Sequence, residues 1–178
     1  MKMIYVSGSP RLKSNTDILL KTALAITGGE FIKLSKFKIS PCQACWNCLD
    51  KVACVLQDDM TDQIIPMLLD CDGIVFGSPV YFNNVSSTLK TFMDRTWCLK
   101  GTLQNKLGGA VVVGRGYGFE GAITAINAFM LKHEMIPANR GVSGIAYKAG
   151  EIINDDLSIE SAKQLGKRIL VLNDLMQN

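Results

Sequence analysis

Long hydrophobic runs, histidine and stretches of one charge sign are scarce in this sequence. The N-terminal segment MKMIYVSGSP contains an apolar run of only four residues, which is too short for a signal peptide and far too short to span a bilayer. We therefore expect a cytoplasmic protein with no membrane partner. The net charge of +3 comes from scattered lysines and arginines, so no basic run indicates nucleic acid as a partner.

The remaining composition is that of a globular protein. The chain has 178 residues, of which 48% are hydrophobic and 20% are charged, and this is typical of one domain with a sizeable core. We expect a single domain over residues 1–178. Residues 36–58, approximately, follow neither helical nor strand periodicity and are predicted to form a cysteine-rich insertion loop.

Short apolar runs alternate with longer segments of helical periodicity. This pattern is typical of an α/β domain built on a parallel sheet. The predicted strands cover residues 2–7, 30–34, 73–77, 110–114 and 142–147. Helical spacing of apolar residues predicts helices over residues 16–26, 61–70, 86–97, 121–135 and 158–176.

The segment SGSPRLKSNT, residues 7–16, joins the first predicted strand to the first predicted helix. Ligands bind at the carboxyl ends of parallel strands. Small residues there let several backbone N–H groups converge, and the helix start adds its dipole, which favours a phosphate. The alternative is that Ser14 or Asn15 only caps the helix. The segment matches neither a Walker loop nor GxGxxG.

Two further loops are predicted at the same edge. The third strand leads into GSPVYFNNVSSTLKTFMDR, in which Tyr81 and Phe82 offer stacking faces and Asn83 offers an amide. The alternative is that the two aromatic side chains only cover the core. The fourth strand ends in GRGYGFEG, residues 114–121. Three such loops on one edge favour a planar aromatic ligand that carries a phosphate.

Four cysteines lie within thirteen residues, with the spacing Cys-x2-Cys-x2-Cys-x5-Cys. A Cys-x2-Cys-x2-Cys turn wraps three thiolates around an iron-sulfur cube. Four thiolates also suit a structural zinc ion, and free or partly oxidised thiols are a third interpretation. Disulfides are disfavoured in a reducing compartment. We interpret Cys71 and Cys98 as small apolar residues outside this site.

These motifs, taken in order, resemble those of a known family. GSPRLKSNT followed by GSPVYFNNVSSTLKTFMDR resembles the flavodoxin-like NAD(P)H-dependent FMN reductases. CQACWNCLDKVACVLQDDM is similar to the cysteine signature of the iron-sulfur flavoproteins, a branch of that family. The resemblance covers essentially the whole chain. It implies a three-layer α/β sandwich with a five-stranded parallel sheet in the order 2-1-3-4-5, helices on both faces, and non-covalent FMN at the carboxyl edge.

The resemblance also implies roles for particular residues. The FMN phosphate would be held by Ser9, Arg11, Ser14, Asn15 and Thr16. The isoalloxazine ring would be framed by Ser78, Pro79, Val80, Tyr81, Phe82 and Asn83, and covered by Arg115, Gly116, Tyr117 and Gly118. The cysteine signature implies a 4Fe-4S cluster with the ligands Cys42, Cys45, Cys48 and Cys54.

No residue is predicted to be a catalytic acid or base, because hydride or electron transfer at FMN requires none. The only histidine, His133, is expected to interact with a helix end. Asp58 and Asp59 are interpreted as the acidic start of the second predicted helix.

Three functional hypotheses follow. The first is an electron-transfer flavoprotein in which a cluster and FMN connect a reduced carrier to an acceptor such as oxygen, peroxide or a quinone-like compound. The second is an NAD(P)H-dependent FMN or quinone reductase without a cluster. The third is a non-enzymatic redox sensor. The expected partners are NAD(P)H or a small redox carrier protein and a second copy of the chain, in a homodimer or homotetramer with Trp46 and Trp97 at the interface.

Overall fold

A parallel sheet forms the centre of the protein, whose computed structural model describes residues 1–177. Asn178, the last residue of the predicted domain, lies outside the described residues. Within them the sheet has six strands in the order β2-β1-β3-β4-β5, with β6 also paired to β4. The strands are β1 Met3–Ser7, β2 Glu30–Lys33, β3 Gly73–Pro79, β4 Leu107–Gly114, β5 Ile136–Pro137 and β6 Val142–Ile145.

The predicted strand order 2-1-3-4-5 is confirmed, but two short strands share the fifth position. Leu107 and Gly108 of β4 pair with β5, and the segment from Val111 to Gly114 pairs with β6. β5 was not predicted because its two residues carry no periodic signal. β4 begins three residues before its predicted start. Glycine weakens the strand signal there, but a Cβ on Gly108 would lie only 2.3 Å from the sulfur of Met130, so a larger residue would force the Met130 side chain to move.

Five α-helices flank the sheet over the described residues. They are α1 Asn15–Thr27, α2 Ile65–Leu69, α3 Ser87–Arg95, α4 Phe119–Lys132 and α5 Asp156–Gln177. Serine hydroxyls cap two of them, since Ser14 accepts the N–H of Asp17 and Ser86 accepts the N–H of Leu89, both at 3.2 Å. α2 is short and follows a wide π-helical turn, Met60–Ile64, with Pro66 in its first turn where no N–H is needed.

Hydrophobic side chains cover both faces of the sheet. Along β1, Met3 and Tyr5 point to one face and Ile4 and Val6 to the other, as the alternation of a strand requires. The first face packs against α1 and α5, and the second against α2, α3 and α4. The result is the predicted three-layer, flavodoxin-like α/β fold.

Residues 37–58 contain neither helix nor strand. They connect β2 to the turn before α2, and Phe37, Ile39, Cys48 and Cys54 within them pack against the core of the second sheet face. Across residues 1–177, no helix has both the length and the apolar character that crossing a bilayer would demand.

Candidate functional site

The loops that follow β1, β3, β4 and β6 enclose a cavity of about 610 Å³ at the carboxyl edge of the sheet. We call it the sheet-edge cavity. Its volume is in the range of small-molecule and cofactor sites. It is lined by Ser9, Arg11, Ser14, Asn15, Thr16, Pro79, Val80, Tyr81, Phe82, Asn83, Val113, Gly114, Arg115, Tyr117, Ala146 and Tyr147.

Most of the residues predicted to bind a cofactor line this cavity, but Ser78, Gly116 and Gly118 do not. Ser78 is buried below it, where its hydroxyl accepts the N–H of Ser86 at 2.8 Å. Sequence reasoning missed Tyr147, because the last strand was predicted to continue to that residue. β6 ends at Ile145, and a residue that follows a parallel strand reaches the same edge as the other loops.

The loop after β1 is held by hydrogen bonds that turn its backbone toward the cavity. Gly8 donates to Gly77 O at 2.8 Å, and Ser86 Oγ donates to Gly8 O at 2.7 Å. A Cβ on Gly8 would lie 2.6 Å from Leu89 Cβ, so only glycine permits this close approach. Exposed Arg11 follows, and Ser14 then caps α1, whose N-terminus lies at the cavity with the positive end of its dipole.

Asn15 connects the start of α1 to the loop after β6. Its side-chain nitrogen donates to Lys148 O at 2.8 Å, and its side-chain oxygen accepts the N–H of Ile152 at 3.3 Å. Asn15 therefore holds the loop that carries Tyr147 against the cavity. A second contact fixes the Tyr147 side chain, because its hydroxyl donates a hydrogen bond to Arg115 O at 3.0 Å.

Glu151 fixes the same loop from the other side. One oxygen of its carboxylate accepts the N–H groups of Tyr147 at 2.6 Å and Lys148 at 2.7 Å. The hydrogen bonds from the backbone of Lys148 and Tyr147 lower the pKa of Glu151. The carboxylate is thus ionised at neutral pH, as its role of double acceptor requires.

A buried ion pair lies beneath the β1 loop. Asp17, in the first turn of α1, pairs with Lys33 of β2, and its other oxygen accepts the hydroxyl of Ser7 at 2.5 Å. The side chains of Asp17 and Lys33 are only 11% and 7% exposed. The pair therefore fixes the end of β1 and the start of α1 relative to each other, although no sequence pattern indicates it.

The turn after β3 presents an aromatic ring to the cavity. Tyr81 and Asn84 exchange two backbone hydrogen bonds of 2.9 and 3.0 Å, and the residues between them, Phe82 and Asn83, have φ values of 47° and 60°. This geometry corresponds to a type I′ turn. A left-handed conformation is costly for phenylalanine, and the Phe82 side chain is fully exposed. Phe82 thus combines backbone strain with full exposure at a position that lines the sheet-edge cavity.

The start of α4 packs directly on that turn. Gly118 precedes the helix with a φ of 75°. A Cβ on Gly121 would lie only 2.0 Å from the carbonyl oxygen of Asn83. Glycine at position 121 therefore sets how closely the β4 loop and the β3 turn approach each other across the cavity.

A second cavity, of about 630 Å³, lies beside the predicted insertion loop. We call it the cysteine cavity, because all four clustered cysteines line it: Cys42, Cys45, Cys48 and Cys54. Its opposite wall comes from the ends of α3 and α4 and includes Arg95, Trp97, Cys98, Phe129 and His133. Sequence reasoning left Cys98 outside the site. Burial, and then the charges of Cys54 and Cys48, raise the pKa of Cys98 to about 11, so it is a neutral thiol.

The thiols share this cavity without being assembled for a metal. Cys42 and Cys45 are exposed, whereas Cys48 and Cys54 are partly buried and pack against the core. Among the residues that the structure describes, no three His, Cys, Asp or Glu side chains are grouped to hold a metal ion. Ala44 and Trp46, between the first cysteines, have φ values of 51° and 58°, so this turn is also strained.

Two tryptophans stand on either side of the cysteine cavity. Trp46, on the loop, and Trp97, after α3, meet edge to face with ring centroids 6.2 Å apart. The amino groups of Lys100 and Lys132 lie 5.9 and 5.8 Å from the Trp97 ring. Trp46 remains 58% exposed, which is a large apolar area for a surface residue.

His133 directly follows α4, at the helix end with which it was expected to interact, but it is buried and is not a charged cap. Burial, and then the charge of Lys132, lower its pKa. Thr96 Oγ1 donates to Met93 O at 2.7 Å, so at 3.1 Å it accepts from Nε2 of His133. The neutral ring therefore has a bare Nδ1, for which the described residues offer no partner.

The sheet-edge cavity lies at the turn before α4, whereas the cysteine cavity extends along the second halves of α3 and α4, from Lys90 and Ala125 onward. The turn before α4 borders the sheet-edge cavity, and Lys132, the last residue of α4, borders the cysteine cavity.

Comparison with known proteins gives a consistent result. Residues 1–150 match the model of a family described as NADPH-dependent FMN reductase. An iron-sulfur flavoprotein of Methanocaldococcus jannaschii is 40% identical over 95% of this chain and 95% of its own length. An iron-sulfur flavoprotein of Methanosarcina thermophila is 32% identical over 99% of this chain and 97% of its own.

Solved structures are similar in fold. The flavodoxin, WrbA-like protein of Agrobacterium tumefaciens superposes with a TM-score of 0.68 at 11% identity, over 97% of both chains. At this level of identity the likeness concerns the fold alone.

Proposed function

The chain belongs to the NADPH-dependent FMN reductase family and, within it, to the iron-sulfur flavoproteins, and from this membership we propose its function. It is a flavin-dependent oxidoreductase. We propose that it transfers electrons between a reduced carrier and an acceptor such as oxygen, peroxide or a quinone-like compound. One observation carries this proposal: four cysteines line a second cavity in a chain whose first cavity has the size and loops of a cofactor site.

FMN is proposed to bind in the sheet-edge cavity, with its phosphate at the β1 loop. The backbone N–H groups of this loop and the N-terminus of α1 attract the anion, and Arg11 adds a positive charge. Ser14 accepts one hydrogen bond from Asp17 and can donate its own hydrogen to a phosphate oxygen. Asn15 contributes through its backbone, because its side chain is engaged by Lys148 and Ile152.

The ring of FMN is proposed to lie between the β3 turn and the loops after β4 and β6. FMN supplies the redox chemistry, and the chain binds it, orients it and excludes water. Phe82, Tyr117 and Tyr147 are exposed at the cavity and offer aromatic faces for stacking. No side chain is needed as an acid or base, and we propose none.

A 4Fe-4S cluster is proposed at the cysteine cavity, with Cys42, Cys45, Cys48 and Cys54 as its ligands. The donor set fits, since thiolates are the ligands of such clusters. Buried Arg95 also fits, because it lines the same cavity and its positive charge would compensate the negative charge of a thiolate-bound cluster. Because the thiols are not grouped in this structure, the four cysteines must move closer together when the cluster is built.

The same ungrouped thiols favour a second candidate, an NAD(P)H-dependent FMN or quinone reductase that carries no cluster. In that case the cysteine loop is structural, or its thiols respond to redox state. The two candidates differ in the electron donor, which is a small redox carrier protein in the first and NAD(P)H in the second.

We further propose that the whole chain acts as one FMN-binding domain and assembles into a homodimer or homotetramer. The separation of the two cavities along α4 supports assembly, because a second copy can bring its own cavity closer. Exposed Trp46 is the proposed contact residue, together with Trp97.

The test is an anaerobic purification with iron, sulfide, zinc and flavin measured on one sample, followed by an EPR spectrum after dithionite reduction. We expect about four irons and four sulfides per chain, as a single 4Fe-4S centre requires, and one FMN. FMN without iron would select the cluster-free reductase, zinc in place of iron would make the cysteine site structural, and absence of flavin would refute the proposed FMN site.

A further inference from the structure

Arg95 joins the two ends of the segment that carries the four cysteines. It is the last residue of α3 and is 2% exposed. One guanidinium nitrogen donates to Ser40 O at 2.8 Å and to Asp58 Oδ2 at 2.6 Å, and the other donates to Asp58 Oδ1 at 3.0 Å. Ser40 stands two residues before Cys42, and Asp58 stands four residues after Cys54. The Arg95 side chain therefore holds the two ends of the cysteine-containing segment together.

Asp58 completes this closure. It accepts the N–H of Ser40 at 2.9 Å and that of Met60 at 3.1 Å. Burial alone would raise the pKa of Asp58, but the hydrogen bonds from Arg95 and Ser40 outweigh burial and lower it. The carboxylate is therefore charged and binds both the start and the end of the loop. The predicted role of Asp58, at the start of a helix, is only part of what it does.

The guanidinium also lies against the thiols. An arginine side chain is not deprotonated in proteins, so this buried group carries a full positive charge beside the cysteine loop. Arg95 lines the cysteine cavity, and within residues 1–177 its Nε–H finds no hydrogen-bond acceptor. A buried donor without a partner costs about 1–3 kcal/mol. An anionic occupant of the cavity would satisfy it.

Stability alone does not account for this arrangement. A buried ion pair is costly to desolvate, and apolar residues of similar size often stabilise a protein equally well. α5 carries an ordinary surface pair, Lys163 with Glu160, at 3.8 Å, whose side chains are about half exposed. Neither residue lines the cysteine cavity, so this pair offers a control.

We propose that Arg95 is a positioning residue for the cysteine loop and the charge that favours the reduced, more negative state of its cluster. The second part rests on the proposed cluster, whereas the first does not. Arg95 and Asp58 hold the loop ends before any cluster is bound. Because Asp58 neutralises part of the arginine charge, the pair also sets how strongly that charge acts on the cluster.

The first test measures loop closure without a cluster. The full chain, carrying FMN but no iron, is alkylated with iodoacetamide, and each cysteine is quantified by mass spectrometry. In R95Q we expect Cys48 and Cys54 to react about tenfold faster. This corresponds to a free energy of loop opening that is lower by ~1.4 kcal/mol. K163Q should stay within about twofold of the wild type. R95K keeps the positive charge but cannot donate the paired hydrogen bonds of a guanidinium, so its alkylation rates should resemble those of R95Q.

FMN content serves as the folding control in this experiment, because Arg95 does not line the sheet-edge cavity. Retained FMN with faster alkylation supports the positioning role. Wild-type alkylation rates in both R95Q and R95K would overturn it.

The second test measures the charge effect after anaerobic reconstitution with iron and sulfide, by EPR-monitored redox titration. R95Q should lower the ratio of reduced to oxidised cluster about tenfold at a fixed potential, or 59 mV for one electron. D58N should raise this ratio, because it leaves the arginine charge uncompensated. R95K should stay near the wild type.

Opposite shifts in R95Q and D58N distinguish a charge effect from general damage to the loop, which would move both variants in the same direction. If the ratio of reduced to oxidised cluster changes in the same direction in R95Q and D58N, or does not change in either, the charge effect is overturned. If the wild type takes up no iron, the proposed cluster fails, and the alkylation rates still decide whether Arg95 positions the loop.

Discussion

Buried charges are the residues whose roles only the folded chain reveals. Lys33 and Asp17 come from different elements, and neither side chain is accessible enough for water to replace its partner. Arg95 and Asp58 form a second pair of this kind. In both cases the partners are distant in sequence, and each pair fixes a loop that lines a cavity.

Lys33→Met should destabilise the protein by about 3 kcal/mol, since it leaves the Asp17 carboxylate buried without its cation. The free energy of unfolding from urea titration measures this. The control is Lys90→Ala, which breaks an exposed i,i+4 pair and should cost only about 0.3–0.5 kcal/mol. Adding Asp17→Asn to Lys33→Met should recover stability, and a double variant no more stable than Lys33→Met would contradict this account.

Tyr5 links stability to alkaline pH. Burial, opposed by the hydrogen bond to Thr27, raises its pKa to about 12. A raised folded pKa means that the stabilising contribution is complete below the unfolded value of about 10 and is lost as the pH rises toward 12. At pH 11 the wild type should have lost about 1.4 kcal/mol that Tyr5→Phe does not lose.

Urea unfolding of both proteins at pH 8 and pH 11 tests this. At pH 8, Tyr5→Phe should be about 1 kcal/mol less stable, because it lacks the 2.6 Å hydrogen bond to Thr27. At pH 11 the two proteins should be equally stable, or Tyr5→Phe should be the more stable one. Tyr117→Phe, at an exposed tyrosine, should show no such crossover.

At the scale of elements, the sheet-edge cavity depends on how closely α4 approaches the β3 turn. The turn is strained at Phe82, and α4 lies against it through Gly121. Neither element forms a cavity wall in the required place without the other.

Gly121→Ala should therefore weaken FMN binding about tenfold, or ~1.4 kcal/mol, because the new Cβ must displace the carbonyl of Asn83. Helix propensity alone would favour alanine by about 1 kcal/mol, so the flavin-free chain should lose little stability. Quenching of flavin fluorescence during titration gives the dissociation constant. Thr124→Ala, on the exposed side of α4, is the control, and an unchanged dissociation constant in Gly121→Ala would refute the role of this contact.

At the scale of the whole molecule, the sheet-edge cavity lies at the turn before α4, and the cysteine cavity lies along the second halves of α3 and α4. This arrangement supports the proposal that copies of the chain assemble. We expect a dimer or tetramer by light scattering at micromolar concentration and a shift toward monomer in Trp46→Ala, since aromatic residues anchor interfaces. Leu157→Ala, at an exposed leucine of α5, should leave the mass unchanged. A monomeric wild type would contradict this prediction.

The sequence by itself determined the features that depend on neighbours along the chain. Strand-and-helix alternation indicated the α/β fold class, the resemblance of the motifs to a known family supplied the strand order, Ser14 was one candidate cap of α1, and the loops after β1, β3 and β4 were assigned to one edge. These predictions succeed because strand pleat, helix caps and the direction of parallel strands are local properties. The cysteine spacing likewise identified one site, although not its occupant.

Tertiary structure alone decided which distant residues meet. It brought Tyr147 to the sheet-edge cavity, Cys98 to the cysteine cavity and Lys33 to Asp17, and it split the fifth sheet position between β5 and β6. Arg95 reaches Ser40 across 55 positions of sequence. Such contacts depend on how helices pack on the sheet and on which buried charge finds a partner, and packing is a property of the whole chain that no local spacing encodes.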